Sequence, residues 1–187
     1  MGDVFDRITP RLRDFIEAQH LFFVATAPAG AGGRVNLSPK GLDTLRVLDE
    51  RTVAYLDFVG SGVETIAHLR ENGRIALMFC AFAGPPKIVR LHGRGAAIER
   101  ADPRFAALAK SFPPAPAARA VISIAVERAS ESCGYGVPLY SYEGERSQLA
   151  AWADRKGADG LLQYQEANNA RSIDGLPGLR WVGEKGE

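Results

Sequence analysis

Short β-type runs, with turn sequences between them and few helical patterns, most constrain how this chain can fold. Six runs rich in apolar, β-branched and aromatic residues occur at 21–27, 34–38, 52–57, 74–82, 88–98 and 121–128, and a further short strand is possible at 45–48. Closely spaced strands favour an antiparallel barrel or sandwich over parallel βαβ units. We therefore predict a mostly β fold, an antiparallel barrel with short flanking helices and a helical C-terminal tail.

Helical patterns flank these runs. Thr9 is a predicted N-cap, with Pro10 at the first helical position and an apolar face behind it. Further helices are predicted at 64–70, 102–110, 146–154 and 158–168. The 187 residues predict a single domain, with a barrel at about 10–130 and a C-terminal extension at about 131–187 that packs on the barrel or on a partner subunit.

The charge balance narrows the class of partner. Lys and Arg number 23 and Asp and Glu 22, which leaves a net charge of +1. This balance argues against a protein that grips nucleic acid or an anionic membrane by bulk electrostatics. The first thirty residues lack a signal peptide's uninterrupted apolar core, and two cysteines form no disulfide framework. We predict a cytoplasmic location.

The loop that leads into the second predicted helix allows two interpretations. Ser61 and Glu64 have the spacing of a capping box, in which the glutamate returns to the serine backbone N–H. The same helix N-terminus offers amide groups to an anion, and Gly60 and Gly62 would let a phosphate approach the backbone. The Thr65 hydroxyl would add a donor. Capping and phosphate binding are compatible, and both stay open.

A second polar segment has the sequence Asn36-Leu-Ser-Pro-Lys-Gly41. Ser38 and Lys40 follow a predicted strand whose polar face already carries Asn36. A lysine is a compact point charge that suits a phosphate, although a solvated turn lysine is the plainer alternative.

Cationic side chains also alternate along a later predicted strand. Arg90, His92 and Arg94 share one face at the period of two that strands have. They would line a polar groove, with Arg34, Lys40 and Lys87 nearby, or they would form the hydrated face of a sheet. A catalytic role for His92 is not indicated by its context.

Familiar catalytic patterns are absent from the sequence. It has no G-x-S-x-G, no Walker loop, no H-E-x-x-H and no Rossmann fingerprint. The three histidines, at positions 20, 68 and 92, are scattered, and no Cys/His spacing indicates a metal site. We therefore assign no catalytic residue and no metal ligand.

Taken in order, these segments resemble the pyridoxamine 5′-phosphate oxidase-like family of split-barrel flavoproteins. The resemblance covers residues from about 10 to 130 and rests on the order of these motifs: Asn36-Leu-Ser-Pro-Lys-Gly41, Tyr55-Leu-Asp57, Gly60-Ser-Gly62, Asn72-Gly-Arg-Ile-Ala-Leu77 and Val89-Arg-Leu-His-Gly93. It implies a six-stranded split barrel and a homodimer that holds FMN at the subunit interface.

The resemblance also implies which residues contact the cofactor, and departures from the family pattern argue against one activity, the oxidation of pyridoxamine phosphate. The residues expected to contact FMN are Asn36, Ser38, Lys40, Asp57, Ser61, Gly62, Thr65 and Arg90. Where the oxidases proper carry an Arg-Lys pair, this chain has Val63, Glu64 and Thr65. The C-terminal signature of the true oxidases is not recognisable, so oxidation of pyridoxamine phosphate is not expected.

From these observations we predict that the protein is an FMN-binding oxidoreductase. The sequence does not identify its small-molecule substrate. The alternative is a non-catalytic cofactor-binding or sensor module that holds FMN, pyridoxal phosphate, haem or deazaflavin. A third possibility is a structural dimer without a ligand, in which Ser61 and Glu64 only cap a helix.

Overall fold

The computed structural model describes residues 2–183, and its strands form one antiparallel sheet. The strands are β1 (Val4–Phe5), β2 (Phe22–Thr26), β3 (Asn36–Lys40), β4 (Leu45–Val47), β5 (Thr52–Phe58), β6 (Arg74–Cys80), β7 (Ile88–Glu99) and β8 (Ala118–Ser132). The helices are α1 (Pro10–Glu17), α2 (Glu64–Asn72), α3 (Phe105–Ala109), α4 (Gln148–Asn168) and α5 (Arg180–Gly183).

The order of the strands shows how the sheet curls. It runs β3-β2-β6-β7-β8-β5-β4, and β1 pairs with β8. The long strands β7 and β8 pair along almost their whole length, with one register shift, and connect the two halves of the sheet. The twist of such strands bends the sheet into a half-barrel. The predicted antiparallel split barrel is confirmed, with eight strands in the described chain instead of six.

The inner face of the half-barrel holds the main core. Buried side chains from both halves of the sheet, among them Val24, Tyr55, Phe79 and Ile122, meet there and pack against α1 and α2. Burial of such apolar and aromatic side chains is the main stabilising contribution of a fold like this one. Smaller clusters under α3 and α4 cover the outer face of β5 and the start of β8.

The N-terminal elements were predicted in part. Thr9 caps α1 through its hydroxyl, which accepts a hydrogen bond from the Leu12 amide at 3.3 Å, and Pro10 begins the helix, as expected. β1 was not predicted, because two residues cannot show an alternating pattern. Helix α3 begins at Phe105 rather than at 102, because residues 100–104 form turns in which the Asp102 carboxylate accepts the Arg104 amide at 2.9 Å.

The C-terminal extension packs on the barrel of its own chain. Helix α4 contains the two helices that were predicted separately, since Gly157 adopts φ 64° and ψ 178° and interrupts it. A hairpin follows, in which the Gly178 amide donates to the Ala170 carbonyl at 2.7 Å. The Asn169 side chain donates to the Gly60 carbonyl at 2.9 Å, so the hairpin is anchored to the loop before α2. No helix within residues 2–183 is long and apolar enough to cross a membrane.

Candidate functional site

Three polar side chains line the inner face of the edge strand β3. Asn36, Ser38 and Lys40 lie opposite Thr26, Val24 and Phe22 of β2 respectively. Side chains opposite each other in a sheet point to the same face, so these three extend the row that faces the core. In the described chain β3 has a strand neighbour on one side only, and all three side chains are partly exposed. The barrel interior therefore opens to solvent along a polar edge.

Lys40 joins the two ends of the curled sheet. Its Nζ donates to Asp57 Oδ1 at 3.1 Å, although β3 is one end of the strand order and β5 is next to the other end. The second carboxylate oxygen, Oδ2, accepts from Arg119 Nε at 2.8 Å. Asp57 is 1% exposed, whereas the Lys40 side chain is 24% exposed. Two cations share one carboxylate, so the group carries a net positive charge.

The Asp57 carboxylate stays ionised in this environment. Burial on its own would raise the pKa of Asp57, but the charges of Arg119 and Lys40 outweigh burial and hold the pKa below its ordinary value. The site therefore presents a fixed anion with a partly exposed ammonium group beside it.

A second network ties β3 to α2. Asn36 Nδ2 donates to Thr26 Oγ1 at 3.1 Å and to Thr65 Oγ1 at 3.0 Å, and Ser38 donates to Asn36 Oδ1 at 3.1 Å. Thr26 Oγ1 also lies 3.0 Å from His68 Nδ1. Of the predicted residues, Asn36, Ser38, Lys40, Asp57 and Thr65 are thus brought together. We call these five residues the inner-edge site.

Two buried polar atoms beside this network are unsatisfied. Tyr55 Oη and His68 Nε2 have no hydrogen-bond partner among residues 2–183. Burial raises the pKa of Tyr55 well above its usual range and the Asp57 charge adds to this effect, while Thr65 and Arg119 oppose it. Burial lowers the pKa of His68, and the nearby Glu64, Asp174 and Glu71 oppose the change. Tyr55 and His68 are therefore neutral polar groups at neutral pH.

The start of α2 differs from the predicted capping box. Val63 is the N-cap and makes no side-chain cap bond, and Ser61 is exposed in the preceding bend. Glu64 does not return to the Ser61 amide, because its Oε1 accepts from the Ile173 amide of the tail hairpin at 3.2 Å. Its Oε2 takes up the space that a Cβ on Gly62 would need. The capping-box prediction is wrong, and the Glu64 carboxylate covers Gly62.

Arg90 lies apart from the inner-edge site. It pairs with Met78 in the row that faces outward, opposite to the row of Lys40, and its Nη1 donates to Ser132 Oγ at 3.1 Å. Lys87 approaches Glu131 at 3.7 Å, and Arg94 approaches Glu127 at 3.4 Å. Arg90, His92 and Arg94 share one face of β7, as predicted. The expected groove of clustered cations is nevertheless not formed, because Lys40 lies on the opposite face and Arg34 pairs with Asp174 of the tail hairpin.

Sequence reasoning missed Arg119, Thr26 and His68 as members of the network. Arg119 stands at a β-bulge, since Asp57 pairs with Ala120 while Phe58 pairs with Ala118. A bulge depends on the register between two strands and leaves no local sequence pattern. A cation at the start of an otherwise apolar strand was the available signal. Within the described residues no group of three or more His, Cys, Asp or Glu has the arrangement of a metal site.

The fold and the polar inner edge define a split-barrel protein with an open seam between β3 and β5. The family model for pyridoxamine 5′-phosphate oxidase matches residues 8–133. The curated protein ustO of Aspergillus flavus, a pyridoxamine 5′-phosphate oxidase family protein, is 41% identical over 201 residues, which cover 98% of this chain and 80% of that protein. The chain belongs to the pyridoxamine 5′-phosphate oxidase family.

Solved structures are similar over the barrel. A variant of the Group A Streptococcus protein HupZ superposes with a TM-score of 0.53 at 28% identity and covers 67% of this chain and 99% of that one. A candidate pyridoxamine 5′-phosphate oxidase from Lactobacillus delbrueckii has a TM-score of 0.53 at 20% identity, with 67% and 94% covered. The second likeness concerns the fold alone.

Proposed function

We propose that this protein binds FMN at the inner-edge site and is a flavin-dependent oxidoreductase that acts on a small molecule. The observation that carries the proposal is the Lys40–Asp57 pair across the open seam of a barrel that belongs to this family. The pair leaves an ammonium group partly exposed beside amide and hydroxyl groups. A charged donor of this kind, with neutral polar groups beside it, suits the binding of a phosphate group.

The residues present fit a flavin in part. Lys40 would bind the phosphate, with the Thr65 hydroxyl as a further donor. Asn36 and Ser38 would border the ribityl chain, since their own donors are engaged within the network. Tyr55 Oη and His68 Nε2 are unsatisfied groups behind this row in the described chain. Ser61 is exposed and available, whereas Gly62 is covered by the Glu64 carboxylate, which would repel a phosphate. Arg90 would contribute only through a second subunit, because it lies on the outer face.

Flavin, when bound, supplies the capacity to transfer a hydride or single electrons, so the protein's tasks are to bind and orient the cofactor. Asp57 positions Lys40, and the network from Asn36 to His68 fixes the wall of the site. Because the cofactor would supply the reactive group, the protein would need no catalytic triad of its own. The substrate is a small molecule of unidentified class.

A homodimer is the second part of the proposal. The outer face of β3 and β2 carries exposed apolar side chains, among them Leu37 at 63% exposure beside Ala25. Exposed apolar patches mark interaction surfaces, and Arg90 lies on the same outer face, so a two-fold interface here would bring it close to the partner subunit. A cytoplasmic location stays a prediction from the sequence.

We predict that Lys40→Ala weakens FMN binding by about ten- to a hundredfold, since a hydrogen bond to a charged group contributes about 1.5–3 kcal/mol. The measurement is a titration of the apoprotein with FMN, followed by quenching of flavin fluorescence. Lys110→Ala is the control, because Lys110 is an exposed lysine after α3. Circular dichroism checks that both variants are folded. Equal affinity of Lys40→Ala and the wild type would remove Lys40 from the site.

Two further measurements separate the alternatives. The visible absorbance of the purified protein and the mass of any released cofactor distinguish FMN from deazaflavin, pyridoxal phosphate and haem. Anaerobic addition of NADH or NADPH then tests turnover. Bound flavin that neither nicotinamide reduces would favour the non-catalytic module.

A further inference from the structure

A cavity of about 550 Å³ lies between the barrel and the C-terminal extension. Its walls come from the segment after β7, the start of β8, both halves of α4, and α5. The volume is within the range of about 300–1,000 Å³ that small-molecule sites have. This cavity is separate from the inner-edge site, because neither Lys40 nor any residue of β3 lines it.

Arg119 supplies a buried cation to the cavity. It is the extra residue of the β8 bulge, and the bulge directs its side chain between Asp57 and the cavity. Its Nε donates to Asp57, but its Nη1 is buried and finds no acceptor in the described part of the chain. The Arg119 side chain is 5% exposed. A buried charged donor without an acceptor is unfavourable, so the geometry favours an acceptor supplied by a ligand.

The other lining groups determine what kind of ligand would fit. Pro116, Ala153, Ala158 and Leu161 form apolar walls. The polar side chains of the lining include Arg100, Asp154 and Gln165. Arg100 donates to three backbone carbonyls, at 2.7, 2.8 and 3.3 Å, which fixes its guanidinium group at the cavity. Arg119 shares the Asp57 carboxylate with Lys40, so Asp57 does not fully neutralise it, and this partly uncompensated cation favours an anion.

The kink in α4 lets both halves of the helix line the cavity. Gly157 has φ 64°, a conformation that residues with a Cβ rarely adopt, and it separates the two halves of the helix. Gly157 itself lines the cavity, between Ala153 on one half and Leu161 on the other. A continuous helix could not surround the cavity from both sides in this way.

We propose that this cavity binds an organic anion with an apolar body, and that the Arg119 guanidinium group binds the anionic head. The apolar body lies against the walls formed by Ala153, Ala158 and Leu161. This site goes beyond flavin binding and does not depend on it. Asp57 lies between the two sites, since one oxygen binds Lys40 and the other binds Arg119.

Calorimetric titration of the full chain tests the charge requirement with two matched probes, 4-phenylbutyrate and its uncharged amide. We expect the carboxylate to bind at least about tenfold more tightly, the size expected when a charged hydrogen bond replaces a neutral one. Equal affinity of the two probes, or no binding of the carboxylate, would overturn the proposal.

Two variants of α4 test the location. Ala158→Trp fills the cavity without removing a partner of Asp57, and we expect it to reduce 4-phenylbutyrate binding at least about tenfold. Ala151→Trp is the control, since Ala151 is exposed on the same helix and does not line the cavity. Binding of 4-phenylbutyrate that both variants retain, or that both lose, would contradict the location. FMN affinity should be unchanged in Ala158→Trp, and its loss would mean that the cavity belongs to the flavin site.

Discussion

Asp57 is the residue that connects the most distant parts of the molecule. Its carboxylate is 1% exposed and binds Lys40 from one end of the sheet and Arg119 from the bulge in β8. Removing one member of a buried ion group leaves an uncompensated charge and costs about 3–5 kcal/mol, whereas an intact group contributes less than its Coulomb energy suggests. The arrangement therefore matters more for positioning Lys40 and Arg119 than for overall stability.

Acid should weaken the fold through this residue. The pKa of Asp57 is lower in the folded protein than its ordinary value of 3.8, so the folded state favours the ionised form. The resulting stability is fully present above that ordinary value and is lost as the pH falls through the folded pKa. We expect Asp57→Asn to lower the free energy of unfolding by about 3 kcal/mol at pH 7, and the difference to shrink below about pH 4.

Urea unfolding of the wild type and Asp57→Asn at pH 7, 5, 4 and 3 measures this difference. Asp159→Asn is the control, because Asp159 is exposed on α4. A difference between wild type and Asp57→Asn that stays constant down to pH 3 would show that the ionised Asp57 does not supply it.

Glu64 is the residue that fits a phosphate site least well. Its carboxylate covers Gly62 and is held by the Ile173 amide of the tail. We expect Glu64→Gln to tighten FMN binding about fivefold at low salt, since two unit charges 4 Å apart repel by about 1 kcal/mol in water. The gain should diminish in 1 M salt, because salt screens exposed charges.

The control for this substitution lies on the same helix. Glu71 also accepts a backbone amide from a neighbouring loop, that of Ala29 at 2.7 Å, but it lies at the opposite end of α2. Glu71→Gln should leave FMN affinity unchanged. An identical response of both variants to FMN would exclude a local repulsion by Glu64.

At the scale of elements, the positions of strands and helices could be predicted from their own residues, but the register in which distant strands pair could not. The hairpin of β2 and β3, and the strands β5 to β8, follow from runs of apolar and β-branched residues that each segment displays by itself. The two halves of α4 were also predictable, because residues 155–157 interrupt the pattern with charge and glycine. Such signals are contained within a few neighbouring residues.

The missed features depend on contacts between distant segments. The bulge that directs Arg119 towards Asp57 exists only in the pairing of β5 with β8. The capping box failed for the same reason, since the partner of Glu64 is the Ile173 amide, 109 positions along the chain. Asn36, Ser38 and Lys40 were recognised from their strand, but their contact with Asp57 and Thr65 required the curled sheet.

At the scale of the whole molecule, the inner and outer faces of the half-barrel have different roles. The inner face buries the core and opens at the polar edge of β3. The outer face of the same strands carries Leu37, which is 63% exposed, in a row with Ala25 and Ala76. The alanines of this row are small, so a second copy of the sheet could approach closely. The exposed leucine at the margin would then be buried between the two sheets.

We predict that the protein is a homodimer through this outer face and that Leu37→Glu shifts it towards the monomer. A two-fold axis brings the same surface of both subunits together, so one substitution introduces two carboxylates into one apolar interface. Sedimentation equilibrium of wild type and variant at equal concentration measures the shift. Leu162→Glu is the control, because Leu162 is an apolar side chain that is 47% exposed on α4 and does not belong to the Leu37 row.

If the flavin site also lies at the interface, Leu37→Glu will weaken FMN binding in parallel with dimerisation, whereas Leu162→Glu will change neither. A monomeric wild type would contradict the predicted interface, and a Leu37→Glu dimer as stable as the wild type would move it to another surface.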